Sequence, residues 1–517
     1  MSNSNSMAKS AILVSGLTVF TLVFSFAKEA VFASYYGTSY ITDAYSIAIQ
    51  IPTTLFAMLS MAISSVALPY YSKKIIKDGP EIASRYISNL MTLVSIITVT
   101  IVLVLEVFPE LIIGFFAPGL SPDASRMATL LFRLVLPTIV FTELININTA
   151  ILDVHKSFLL PQLGSVVLNT IFVAFVSLFA EIGGIYAAVY GTVIGSIVEF
   201  GYSVLLRRKY MKYQYVCDVS DNDVTASLKK STPVFLGIGI EEINKTIDTI
   251  VTSFLEAGSV SMMGYASKVT SAISSLFISG IMKVTYPEYA ESAAKNDDIR
   301  MADCLLFAIK IVFLLLFPIV FGGALLSKEI ISAVFYRGAF GIAAVFGTAP
   351  IFTAYLACLI FRGLRQSFAR VFYSYGDTRT PMTNGFIGLL VNTILDLSLY
   401  KTFGAAGVAW ATTGTYVVVS GLLGLSIKKK NKFIQYHLLL PFLFRVLLSC
   451  VFMSAIIMVL KEFFIYIGLY DITNISKNIT FLVFTVVLGA IFYFVGLLLL
   501  KTTEAINIVK VICRRKK

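Results

Sequence analysis

Several ionisable side chains stand in long apolar runs, where each charge would be expensive in hydrocarbon and is a functional candidate by default. Lys28 and Glu29 sit together in the first such run, Asp43 follows Thr42 near the start of the second, and Lys268 falls among small residues further on. Arg362, Arg365, Gln366 and Arg370 share one helical face, and Glu241, Asn244, Lys245 and Asp248 recur at i, i+3, i+4 and i+7. Cations in a low-dielectric cavity suit a polyanion, phosphate or pyrophosphate, bound by charge-assisted hydrogen bonds. Lys28 and Lys268 lead that set because neither has an obvious partner on its own helix; Lys28 and Glu29, adjacent in sequence, diverge by about 100°. Arg362 and Arg365 have a plainer account, snorkelling to an interface, and Glu241 with Lys245 can form a helix ion pair.

A second constellation has different chemistry. Asp248, Asn392, Asp396 and Thr412 offer only hard oxygens, two of them carboxylates, which suits a small hard cation. Hydrogen bonding between packed helices is the alternative reading.

The elements that must carry these residues follow from composition. Of 517 residues, 57% are hydrophobic and 14% charged, against roughly 25% charged in ordinary soluble domains. Fourteen apolar stretches of spanning length run from about 10–34 to 478–501; they are continuous, unlike the ten-residue alternation of barrel strands. The expected fold is therefore all-α and polytopic, with about fourteen transmembrane helices. Five cysteines without Cys-x-x-Cys spacing indicate neither a disulfide framework nor a zinc site, and two histidines leave little for imidazole chemistry. No Gly-x-x-x-x-Gly-Lys-[Ser/Thr] loop is present, so ATP hydrolysis is not indicated, and an enzyme is not expected.

The net charge of +12 is concentrated in loops after even-numbered spans, as at Lys73, Lys74, Lys77, Arg207, Arg208 and Lys428–Lys430. That distribution is positive-inside topology, placing both termini in the cytoplasm rather than marking a nucleic-acid surface. A repeat is also visible. Pro69-Tyr70-Tyr71 recurs as Pro287-Glu288-Tyr289, 218 residues on; Pro161 recurs as Pro381, and Gly184–Thr192 aligns with Gly404–Thr412, both at 220. The expected organisation is a tail (1–9), a six-helix lobe (10–206), a basic cytoplasmic linker (207–230), a second six-helix lobe (231–427), and two additional helices with a basic tail (428–517). Two lobes of like orientation are the pattern of parallel-repeat transporters, which rock about a central site.

At these positions the sequence resembles the MurJ/MviN family of lipid II flippases, within the multidrug/oligosaccharidyl-lipid/polysaccharide exporter superfamily. The motifs are Phe26-Ala-Lys-Glu-Ala30, Thr42-Asp43-Ala44, Ala117-Pro-Gly-Leu120, Ile243-Asn-Lys-Thr-Ile-Asp-Thr249, Gly258-Ser-Val-Ser261, Tyr336-Arg-Gly-Ala-Phe340 and Phe372-Tyr-Ser-Tyr-Gly-Asp-Thr-Arg-Thr-Pro381. The resemblance implies alternating access around a cationic cavity that binds the pyrophosphate headgroup of an undecaprenyl-linked saccharide, lipid II, at Lys28, Glu29, Asp43, Lys268 and Arg370. It implies a lipid-tail groove on the last two helices. It also implies sodium at Asp248, Asn392, Asp396, Thr412 and the Val408 carbonyl, with no other cofactor required. The remaining expectations are a monomer in the bacterial cytoplasmic membrane, surrounded by membrane lipids and binding no nucleic acid.

The sequence departs from the family at two places. Leu22 stands where an arginine is usual, and Pro52 is followed by Thr53-Thr-Leu-Phe-Ala-Met-Leu-Ser-Met61 instead of a run with paired arginines. Lysine at 28 and 268 replaces arginine, a point charge in place of a fork. These departures leave open an exporter of another undecaprenyl-linked oligosaccharide, for capsule or exopolysaccharide. A sodium-coupled multidrug antiporter and a non-transporting scaffold for envelope-synthesis enzymes are further alternatives.

Overall fold

A computed structural model of the chain describes residues 2–506, with side chains from Gly16 onward except at 55, 57–59, 61–67, 227–238, 240 and 241. The basic tail after 506 and the Glu241 side chain lie outside the described residues. Regular structure among the described residues is helical, and the single isolated bridge joins Arg337 to Phe340. Ten helices are long and apolar enough to cross a membrane, or eleven if the bent pair Pro122–Val135 and Thr138–Val154 counts as one span. One of the ten, Arg379–Lys430, has 52 residues and turns at Gly404, where φ is 58° and ψ −143°. At 1.5 Å per residue it is about 78 Å long, enough for two crossings of a core of about 30 Å. Those ten are counted over the described residues; two further long helices, Tyr40–Asp78 and Asn222–Ser253, include side chains outside that set and are not among them.

The chain divides into two compact units. The first comprises residues up to Ser261 together with Arg337–Phe340. Its helices are α1 (Ser2–Tyr36), α2 (Tyr40–Asp78), α3 (Pro80–Val107), α4 (Pro109–Phe116), α5 (Pro122–Val135), α6 (Thr138–Val154), α7 (Leu159–Gly183), α8 (Tyr186–Arg207) and α9 (Asn222–Ser253), followed by the first turn of α10 (Ser259–Ala294). Short polar residues start several of them: the Ser39 hydroxyl accepts from Thr42 N–H, Ser121 precedes Pro122 at the first helical position, and Asp221 caps α9. α7 and α8 pack closely because glycines face large neighbours; a Cβ on Gly191 would stand 3.1 Å from Phe175 Cβ. α9, which the repeat assigns to the second lobe, packs along α2 and so falls in the first unit.

The linker expected between the lobes is strapped to α3. Asn89 exchanges two hydrogen bonds with the Asp218 backbone (both 2.9 Å), Gln214 N–H donates to Ser88 Oγ, and Thr92 meets the Tyr213 hydroxyl at 2.7 Å.

The second unit comprises Met262–Tyr336 and the chain from Gly341 onward. After α10 come α11 (Asp298–Leu325), α12 (Ser327–Phe335), α13 (Ile342–Ser374), α14 (Arg379–Lys430), α15 (Leu439–Tyr466) and α16 (Ile475–Leu499). The last pair is fastened to α11 and α12 by buried polar bonds. Glu329 Oε1 accepts from Lys461 Nζ (2.6 Å) and the Tyr470 hydroxyl (2.7 Å); Asn478 donates to the Glu329 carbonyl, and the Tyr493 hydroxyl to that of Leu314.

The sequence repeat has counterparts in backbone geometry. Pro69 and Pro287 lie inside α2 and α10, and Pro161 and Pro381 are each the third residue of a helix. Gly184 (φ 53°, ψ −139°) and Gly404 (φ 58°, ψ −143°) break the chain in nearly the same conformation, one that only glycine adopts readily.

Candidate functional site

In the first unit Lys28 and Glu29 lie on α1, both half-buried. The Lys28 ammonium stands 4.6 Å from the centre of the Phe172 ring of α7, a cation–π contact that stabilises the charge without adding a negative one. Glu199 of α8 lies within electrostatic range of Lys28, and Gly164 gives it room, since a Cβ there would approach Glu199 Oε1 to 2.9 Å. Glu199 also lines a small cleft together with Ile145, Thr149, Gly164 and Tyr202. Glu29 is within electrostatic range of Tyr45 on α2.

Asp43, in the first turn of α2, is 4% exposed, and both its oxygens are engaged by backbone. Oδ2 accepts from Gly258 N–H at 2.6 Å and Oδ1 from Ser261 N–H at 2.7 Å, which caps the start of α10. Beside it the segment Arg337–Phe340 clamps the end of α1. Ala339 N–H donates to the Ser34 carbonyl at 2.7 Å, while Gly37 (φ 59°) and Gly338 (φ 54°) leave no room for a Cβ against Ala339 and Ser34 respectively. Two of the sequence motifs, Thr42-Asp43-Ala44 with Gly258–Ser261, thus meet in one structural device.

Asp248 is half-buried on α9 of this unit. On the same helix Lys245 Nζ bonds Glu242 Oε1 at 2.7 Å, three residues back; the expected pair of Lys245 with Glu241 involves a side chain outside the described residues.

In the second unit Lys268 is exposed on α10. The Arg370 guanidinium packs 4.9 Å from the ring centre of Tyr286, and that of Arg365 packs 5.5 Å from Tyr416. The hard-oxygen residues of this unit cluster on the two arms of α14. Asn392 Nδ2 donates to Asp396 Oδ2 at 2.7 Å, Thr415 donates to Asn392 Oδ1 at 3.0 Å, and Thr412 Oγ1 donates to the Val408 carbonyl at 3.3 Å. Asn392, Asp396 and Val408 are buried, Asp396 fully. Every acceptor in this set is a carboxylate, amide, hydroxyl or carbonyl oxygen, the donor chemistry a sodium ion takes. No group of three or more His, Cys, Asp or Glu suited to a transition metal occurs among the described residues.

Three buried carboxylates lie outside the sequence-based candidates, Glu143 on α6, Glu242 on α9 and Glu329 on α12, as does the half-buried Glu199 on α8. Glu199 and Glu329 are each the lone acidic residue of an apolar helix and Glu143 stands ten residues from Asp153, and that isolation was the available signal.

A long helical chain with many apolar spans is the build of a multi-pass membrane protein. Its fold is similar to that of the inward-facing structure of a multidrug resistance MATE-family transporter of the MOP superfamily, which aligns with a TM-score of 0.67 at 14% identity, covering 82% of this chain and 98% of that one. A solved structure described as lipid II flippase MurJ in an inward closed conformation aligns with a TM-score of 0.79 at 26% identity, covering 96% of this chain and all of that one (100%). Residues 32–494 match the family described as lipid II flippase MurJ, and the chain belongs to that family. Among its relatives, the probable lipid II flippase MurJ of Rickettsia prowazekii is 24% identical over 510 residues (97% of this chain, 99% of the relative). The lipid II flippase MurJ of Thermosipho africanus is 28% identical over 417 residues (80% and 84%).

Proposed function

We propose that the protein moves lipid II, the undecaprenyl-pyrophosphate-linked peptidoglycan precursor, from the inner to the outer leaflet of the bacterial cytoplasmic membrane by alternating access. The observation that carries this reading is the family match across residues 32–494. Lys28 in the first unit, and Lys268 and Arg370 in the second, supply positive charge to the pyrophosphate. The aromatic faces of Phe172 and Tyr286 hold two of these cations without neutralising them. Glu29 borders the headgroup, and Asp43 serves it indirectly, by fixing the start of α10.

Sodium is the ion proposed for the oxygens of Asp248, Asn392, Asp396, Thr412 and the Val408 carbonyl; sodium or the membrane potential then biases the return step. The same reading takes the chain as a monomer of fourteen spans in two six-helix lobes. α2 and α9, with both arms of α14, complete the spans, the last two helices form the lipid-tail groove, and both termini are cytoplasmic.

The test is complementation of a strain depleted of its own lipid II flippase, paired with lipid II translocation in proteoliposomes. The wild-type chain is expected to restore growth and to move lipid II. Lys28→Ala and Lys268→Ala, present at wild-type levels, are expected to lose at least about tenfold in rate, the equivalent of one charge-assisted hydrogen bond of about 1.5 kcal/mol. Wild-type rates in both variants would refute the site. Failure of the wild-type chain to rescue, with restored export of another undecaprenyl-linked glycan, would refute the substrate.

A further inference from the structure

Most buried carboxylates in this protein have strong donors. Asp43 takes two backbone N–H groups, Glu329 an ammonium and a phenol, and Asp396 an amide N–H. Glu143 is different. It is 1% exposed on α6, and among the described residues its side chain has one hydrogen bond, from the Ser60 hydroxyl of α2, which meets Oε1 at 2.5 Å. Ser60 Oγ in turn accepts from Asn146 Nδ2 at 2.7 Å. That second bond fixes the direction of the chain: the amide donates to Ser60, so the single Ser60 hydrogen goes to Glu143 Oε1. Glu143 Oε2 is buried without any hydrogen-bond partner.

No cation pairs with it among the described residues. Among the described residues, the titratable and charged groups that share a packed cluster or a cleft with α6 are Tyr70 and Tyr71 of α2, Tyr86 of α3, and Glu199 and Tyr202 of α8, with Asp153 on α6 itself and His155 at its end; Arg207 of α8 bonds Met91 of α3. None of them bonds to Glu143, and Glu143 makes no ion pair among the described residues. A full negative charge supported by one neutral hydroxyl in an apolar bundle is strongly disfavoured, and such a group neutralises instead. A metal ion is a poor occupant, because two of the three polar side chains present point donors along the chain toward the carboxyl, whereas sodium needs several oxygen acceptors.

We propose that Glu143 is a proton-binding site of the first unit, neutral in the conformation described here and exchanging its proton with water in another state of the transport cycle. The step is a simple acid–base exchange: the Oε2–H bond breaks, water takes the proton, and the electron pair stays on the carboxylate; uptake is the reverse. Proton binding stands on the site itself. Its coupling to transport rests on the lipid-translocation reading.

Infrared difference spectroscopy on the purified full-length chain, titrated from acid to alkaline pH, reads the site directly. The wild type is expected to show the carbonyl band of a buried neutral carboxyl that fades as pH rises and is missing in Glu143→Gln. Ser60→Ala is expected to keep the band and move its midpoint to higher pH, because the carboxylate loses its one hydrogen bond. Sodium at constant pH is expected to leave the band unchanged. A band that persists in Glu143→Gln, a midpoint indifferent to Ser60→Ala, or displacement by sodium overturns the proposal. In proteoliposomes the wild-type translocation rate is expected to vary with pH, and Glu143→Gln to flatten that profile. A wild-type profile retained by Glu143→Gln overturns the coupling, whereas a wild-type chain that moves no lipid II overturns the substrate reading and leaves the infrared result standing.

Discussion

Replacing Asp43 tests the most tightly specified polar contact near the candidate site. The carboxylate is 4% exposed and accepts from Gly258 and Ser261 N–H at 2.6 and 2.7 Å. Hydrogen bonds to a charged acceptor contribute about 1.5–3 kcal/mol each. Taking the lower figure for both, Asp43→Ala removes about 3 kcal/mol, which is roughly a 150-fold rise in local opening at about 1.4 kcal/mol per decade. Asp43→Asn keeps one acceptor oxygen but not the charge that complements the helix N-terminus, so about half the loss, roughly tenfold, is expected. Hydrogen exchange read by mass spectrometry on the purified chain reports the amides of 258–261 directly. Faster exchange is expected there in the order Ala, Asn, wild type, with segments such as α16 unchanged. Equal exchange in all three proteins, or acceleration spread evenly over the chain, would refute the reasoning.

The ion pair of Glu329 and Lys461 is asymmetric, since the side chains are 1% and 31% exposed. Lys461→Met strands a buried carboxylate with Tyr470 alone and is expected to cost about 3 kcal/mol, whereas Glu329→Gln releases a lysine that water can reach and costs less; thermal unfolding in detergent that ranks them the other way contradicts this. Gly338→Ala sets a Cβ against the Ser34 carbonyl at a φ of 54°, so a loss of at least about 1–2 kcal/mol is expected. Gly341→Ala, where nothing lies within 4 Å of the added atom, is the control for the same melting measurement. Asp377 sits in the turn before α14, and the Thr380 N–H, then the Thr380 hydroxyl and Lys430, hold its carboxyl below the ordinary carboxylate range. Its stabilisation is therefore present above the unfolded value of about 3.9 and lost as pH falls through the lower folded value. Asp377→Asn is expected to flatten that acid-side decline in a pH series of melting temperatures; an unchanged slope would count against it.

Local signals carried the fold. Continuous apolar length announced helices, and the repeated glycines at 184 and 404 marked two breaks whose dihedral angles agree within a few degrees. The crossing count was less legible at α9, where Glu241, Glu242, Lys245 and Asp248 interrupt an otherwise spanning length. The stripe on α9 was visible as a stripe, but Glu242, which pairs with Lys245 from three residues back, lies off the i, i+3, i+4, i+7 pattern that marked it. Contacts made across the sequence were out of reach. Nothing local to Asp43 points to Gly258, 215 residues away, and nothing local to Glu143 points to Ser60, 83 residues away. Glu143 was detectable only as a lone acid in an apolar stretch, a signal that names a candidate but not its chemistry.

The separation of 215 residues between Asp43 and Gly258 also bears on how the protein is made. At about 5–20 residues per second, a ribosome adds those residues in roughly 10–40 s. During that interval the aspartate has been synthesised, but the backbone amides that receive its charge do not yet exist. The clamp on Ser34 comes later still, since Ala339 follows by another 81 residues (339 − 258). The beginning of α2 and the end of α1 must therefore wait near water, or in the shelter of the insertion machinery, until about two thirds of the chain has been translated. The earliest helices of this chain settle only after later ones have been made.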